Sequence, residues 1–136
     1  MAFAIKAAIA DPLAKIFSFA AQKTMYGGKT IAQSDVIFIF ASETDGGQGL
    51  VARGIVASVA AVDRVPGIAR QTPRVSVTIK RTALAKRSLG RDNLKHLKNW
   101  NDGRPGTELN FKFYRQSTNK IVGLSDEAAA FLDRFF

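Results

Sequence analysis

Glu108 to Phe136, ELNFKFYRQSTNKIVGLSDEAAAFLDRFF, holds several elements in one uninterrupted run. Leu109, Phe111 and Phe113 alternate with Asn110, Lys112 and Tyr114, the period of two that predicts a strand with one face in a core and the other turned to solvent or ligand. Arg115 and Gln116 lead into Ser117, Thr118 and Asn119, whose short polar side chains bond locally to the backbone and so predict a turn. A short strand over Lys120 to Leu124 follows. Ser125 then suits a helix N-cap, with Asp126 and Glu127 where carboxylates meet the positive end of the helix dipole. Ala128, Phe131, Leu132, Phe135 and Phe136 make one apolar stripe, so this last helix should close the core.

Outward from that stretch, alternation recurs at the start of the chain. Phe3, Ile5, Ala7 and Ile9 predict an opening strand, and Asp11-Pro12 predicts the start of a helix with Leu13, Ile16, Phe17 and Ala20 as its buried stripe. Met25-Tyr26-Gly27-Gly28 reads as a loop. Val36 to Phe40 is apolar on both faces, as in a strand covered from two sides. The turn Thr44 to Gly49 predicts an antiparallel return along Leu50 to Val62, with Gly54 marking a bulge in a curled sheet. That glycine-rich turn lacks the Lys-Ser/Thr ending of a phosphate loop.

Asp63 to Pro73 is a loop carrying Arg64 and Arg70, and Arg74 leads into a strand in which Val75, Val77 and Ile79 alternate with polar residues. From Lys80 to Lys98 the positive charge continues through a segment that Leu84, Leu89, Leu94 and Leu97 make partly helical. A loop from Asn99 to Gly106 contains the single tryptophan, Trp100, beside Asn101. A tryptophan flanked by asparagines suits stacking on a base and bonding to its edge, and suits anchoring a loop equally well. Together these elements predict one α+β domain over residues 1–136: a small, strongly bent β-barrel of about five to six mostly antiparallel strands with flanking helices.

The formal net charge is +9 in 136 residues, which favours polyanionic partners because each neutralised phosphate releases condensed counterions. A solvated basic face would account for the same charge without a ligand. Without cysteine there is no disulfide, thiolate metal site or cysteine chemistry, and with His96 the only histidine a multi-histidine metal site within the chain is excluded. No cofactor is expected. The opening MAFAIKAAIADPL is broken by Lys6, Asp11 and Pro12 and lacks the order of a signal peptide or the length of a membrane span, so a cytoplasmic location and no membrane partner are expected.

The lead-in Ile31-Ala32-Gln33-Ser34-Asp35 into VIFIFASE, the strand GLVARGIVASVAAV and the segment Tyr114-Arg115-Gln116-Ser117 before a short return and helix resemble the PUA-like superfamily, particularly its EVE branch and more loosely ASCH and YTH. Where EVE domains carry a Trp-containing strand and a Glu-Pro element, this chain has FAIKAAI and Asp11-Pro12. The resemblance implies a compact barrel whose cationic, aromatic-lined cleft receives a modified or unpaired base of RNA or DNA. It places Phe40, Ser42, Trp100, Asn101, Tyr114, Arg115, Gln116, Ser117 and Lys120 around that cleft, with FASE and YRQS as opposite walls. The competing expectations are a metal-independent ribonuclease of ASCH type, with Lys112, Tyr114 and Arg115 on the phosphate, and a small-molecule or protein-interaction domain.

Overall fold

The strand apolar on both faces, β3 (Val36–Ala41), is where two cores meet. The computed structural model describes residues 1–136. In it Ile37 and Ile39 point into a barrel, packed with Phe3, Ile5, Val56, Val77, Ile79 and Ile121, while Phe38 and Phe40 point outward under a layer of helices, packed with Leu94, Leu109, Phe113, Val122 and Leu132. At roughly 1.5–3 kcal/mol for each large apolar side chain buried, a strand feeding two cores is strongly fixed in register.

The barrel is closed in the order β1 (Ala2–Ala7), β3, β4 (Gly49–Ala61), β5 (Arg74–Leu84), β2 (Ile16–Met25) and β6 (Lys120–Gly123). Pairings β3–β4, β4–β5, β5–β2 and β6–β1 are antiparallel, and β1–β3 and β2–β6 are parallel. Gly54 lies at a register shift between β4 and β5, where a Cβ would sit 2.6 Å from Ile79 Cγ2. The expected bulge is therefore present, and only a glycine fits it. The small α+β barrel and its mostly antiparallel pairing match expectation.

Two elements differ from it. Asp11-Pro12 starts no helix: Asp11 O accepts from Ala14 N at 3.2 Å and Asp11 Oδ1 from Leu13 N at 2.9 Å, a tight turn with proline at its second position. The chain goes straight into β2, where Phe17 and Phe19 are buried and Ile16 and Ser18 exposed. This strand joins β5 to β6, so a helix here would leave the barrel open.

Leu109 to Tyr114 is not a strand. It continues α2 (Pro105–Leu109) as a π-helical turn, Asn110–Tyr114, with Arg115 N–H bonded to Asn110 O at 2.9 Å. Leu109, Asn110 and Phe113 are buried and Phe111 only partly, which is helical spacing. Pro105 occupies the first helical position, Asp102 accepts from Arg104 N and Thr107 Oγ1 at the helix start, and Glu108 pairs with Lys112 one turn on at 3.0 Å.

The segment after β5 is helical only at the single turn α1 (Arg91–Leu94). The C-terminal α3 (Asp126–Asp133) is capped as expected, Ser125 Oγ accepting from Ala128 N at 3.0 Å. Its Ala128 and Leu132, with Phe135 beyond it, complete the outer core.

Candidate nucleic-acid interface

Alternation along β1 turns Phe3 and Ile5 into the barrel and Ala4 and Lys6 toward the helices. Lys6 lies opposite Phe40 on β3 and Lys120 on β6, and both lysines are almost fully buried. Lys6 Nζ donates to Phe113 O at 2.9 Å and Ser117 O at 3.1 Å and sits 5.1 Å from the Tyr114 ring centre. Those carbonyls lie at and just past the end of the π turn, where the dipole is negative and acceptors lack helical partners. Lys120 Nζ donates to Gln116 O at 3.1 Å. Burial pushes the Lys6 ammonium below the ordinary lysine range, and Glu43 nearby pulls the other way. Lys120 is lowered to about 8 by burial first and then by the charge of Lys6.

The two segments expected as opposite walls meet directly, because Tyr114 Oη donates to Glu43 Oε1 at 3.0 Å. Burial, followed by the Glu43 charge, pushes the Tyr114 phenol well above its ordinary value, so it stays protonated as that donor. Glu43 also accepts from Arg91 N. The space left among Lys6, Glu43, Thr44, Arg91, Tyr114 and Ser117 is about 10 Å³, which is room for a single water. Beside it Ser42 Oγ is buried with no hydrogen-bond partner, and so is Asn119 Oδ1.

A larger hollow, about 230 Å³, opens on the far side of the π turn and is lined by Trp100, Gly103, Arg104, Thr107, Glu108 and Phe111. Trp100 is 41% exposed and meets Phe111 edge-on at 5.4 Å; Phe111 in turn meets Tyr26, 40% exposed, at 5.7 Å. Cations flank this aromatic row. The Arg115 guanidinium lies 4.8 Å from the Phe111 ring centre and Lys112 Nζ 5.9 Å from that of Tyr26. Glu108 forms the floor with both carboxylate oxygens engaged, by Ser125 Oγ and N and by Lys112 Nζ. Burial pushes its carboxyl up, and those bonds outweigh burial to hold it below the ordinary carboxylate range.

The residues expected around one cleft thus divide. Trp100 lines the 230 Å³ hollow, Arg115 lies against the Phe111 ring that also lines it, and Asn101 is exposed next to Trp100 in the chain. Phe40, Ser42, Tyr114, Ser117 and Lys120 belong to the seam between sheet and helices, with Phe40 stacked on Phe113 at 5.1 Å and wholly buried. Gln116 is exposed and gives its carbonyl to Lys120. Lys112, considered for phosphate chemistry, is engaged by Glu108 and Gly123 O. Lys6, Arg91, Arg104 and Phe111 were not anticipated, and Glu43 was expected only as the end of the FASE wall. Lys6 had a signal, being the one charge inside the apolar run FAIKAAI.

A closed mixed barrel with helices over one outer face is the kind of small α+β barrel that the resemblance of the residues implied. The chain superimposes on the DUF55 domain of human thymocyte nuclear protein 1 with a TM-score of 0.64 at 12% identity, over 96% of this chain and 95% of that one. It superimposes on protein PSPTO5229 from Pseudomonas syringae with a TM-score of 0.60 at 13% identity over the whole of both chains. At such identities the likeness is one of fold. No family model matches the sequence, and no curated protein matches it. No helix is long and apolar enough to cross a membrane.

Proposed function

We propose that the protein binds single-stranded RNA or DNA and holds one unpaired base, a modified one included, in the hollow lined by Trp100, Arg104 and Phe111. The observation that carries this reading is the row Trp100–Phe111–Tyr26, exposed at both ends, with the Arg115 guanidinium against the Phe111 ring and Arg104 in the lining of the hollow. Aromatic faces accept any base, and adjacent cations take the phosphates on either side of it. A hollow of about 230 Å³ has room for a single nucleobase. Asn101, beside Trp100, offers an amide to the base edge. Phe40, Ser42, Tyr114, Gln116, Ser117 and Lys120 serve the site from behind by fixing the π turn that presents Phe111.

Fluorescence anisotropy with labelled single-stranded oligonucleotides at about 50 mM salt tests the reading, since contacts to phosphate are strongest at low ionic strength. The expected result is binding that weakens with salt and falls about 5- to 150-fold in Trp100→Ala, the equivalent of ~1–3 kcal/mol for one stacked base. Absence of binding to both RNA and DNA under these conditions would overturn it. A panel with modified bases at one central position then ranks the preferred base.

A further inference from the structure

We propose that a second groove, between the β4–β5 loop and the end of β2, carries the phosphates of the same strand whose base occupies the Trp100 hollow; the inference rests on that base-binding reading. The groove encloses about 580 Å³ and is lined by Lys23, Lys29, Arg64, Arg70 and Arg74, with Asp63 as its only acid. The ion pairs of the molecule are Met1–Asp35, Arg53–Asp133, Lys95–Asp92 and Lys112–Glu108, so none of these five cations has a carboxylate partner. Like charges gathered in a concavity repel one another and concentrate a field that attracts an anion.

The loop is shaped rather than merely solvated. Gln71 clamps it by donating to Val65 O and Ile68 O and accepting from Val65 N, each at 2.8 Å. Arg64 donates to Ala69 O at 2.9 Å, and Thr24 Oγ1 ties Pro73 O to β2 at 2.7 Å. Val65 and Ile68 are left 56% and 53% exposed along the groove, an apolar surface of the kind a base face covers.

The five cations come from separate places, Lys23 and its register partner Arg74 on β2 and β5, Arg64 and Arg70 on the β4–β5 loop, and Lys29 beyond β2, instead of from one short segment. That arrangement suits successive phosphates better than one free anion. One strand end connects the groove to the aromatic row. Lys23 lines the groove, and Tyr26, three residues and so about 10 Å further along the chain, packs on Phe111.

The test is a length series of single-stranded oligonucleotides, from about three to about twelve nucleotides, a span bracketing known single-strand site sizes, against wild type, Lys29→Glu/Arg70→Glu and Trp100→Ala. Both groove residues are exposed, and an unchanged melting temperature confirms that the double variant folds. Wild type should gain affinity with length. The double variant should keep its affinity for the shortest oligonucleotide, lose tenfold or more for the longest, and show a salt slope smaller by about 1.4, at 0.7 per phosphate contact on a single strand.

Equal losses at every length, no loss at any length, or a mononucleotide that binds the groove as tightly as the long strand would each overturn the proposal. If Trp100→Ala changes nothing while the double variant loses the long strand, the hollow is not the base site and the groove still carries phosphates. If Trp100→Ala abolishes binding and the double variant changes nothing, the groove proposal alone falls.

Discussion

Lys6 and Lys120 are cross-strand partners on β1 and β6, both nearly water-free, and neither faces a carboxylate within ion-pair distance. Two ammonium groups in such a place persist because carbonyl oxygens of Phe113, Gln116 and Ser117 accept from them, at the end of a helical segment whose dipole favours positive charge. With its folded value lowered to about 8 from 10.5, Lys120 binds fewer protons folded than unfolded between those values. Stability should therefore rise with pH across that window, and fall back as pH drops through about 8. Urea midpoints of wild type and Lys120→Met between about pH 7.5 and 9.5 check this, below the range in which the raised Tyr114 phenol adds the opposite slope. The wild-type advantage should grow with pH, and a difference that stays flat would show that the ammonium is not desolvated.

Among elements, the strands with a simple task were legible. β3 declared both cores by being apolar on both faces, β4 showed its bulge at Gly54, and α3 showed its cap at Ser125. The misread elements carried two signals, of which one prevailed. At the start of β2, Asp11-Pro12 suits a turn as well as a helix entry, and the alternation Ile16-Phe17-Ser18-Phe19 outweighed it because the barrel needs a strand there. At Leu109 to Tyr114 the alternation of large apolar residues was incidental, and Pro105, Asp102 and the Glu108–Lys112 pair specified a helix.

That helix is tied to α3 through Glu108, which accepts from both Ser125 Oγ and Ser125 N. Ser125→Ala should thus lose more than the ~1 kcal/mol of an N-cap, because a half-buried carboxylate also loses a partner. Thermal unfolding of Ser125→Ala beside Ser125→Asp, which keeps a cap but adds a like charge next to Glu108, should rank both below wild type. Wild-type stability in either variant would mean that the bond is not contributing.

On the scale of the whole molecule, positive charge is distributed as the fold dictates. Lys6 and Lys120 are buried in the seam, Arg104 lines the Trp100 hollow, and five more cations line the β4–β5 groove. The net charge of +9 favoured a polyanion partner without locating the cations, since sequence spacing does not reveal that Lys6 pairs in register with Lys120 or that Tyr26 reaches Phe111. Trp100 and Arg115 were visible as isolated residues. Their common neighbour Phe111 was assigned to a buried strand face, and only helical winding turns it outward. Duplex DNA of equal length should bind less tightly than a single strand, because its stacked bases cannot enter the hollow; competition between the two on one labelled oligonucleotide measures the ratio.

The winding from Asn110 to Tyr114 accommodates one more residue per turn than an ordinary helix, as though a single amino acid had been spliced into a regular coil. Leu109 and Phe113, four residues apart, stay on the core face of that widened turn while Phe111 between them meets Trp100. Excising Lys112 would close that widened turn to ordinary winding, removing the side chain that bonds Glu108 and Gly123 O and resetting how the adjoining Phe111 faces Trp100. A shortened chain of that kind should loosen its seam and its aromatic row together, because one turn holds Phe113 against Phe40 and Phe111 against Trp100.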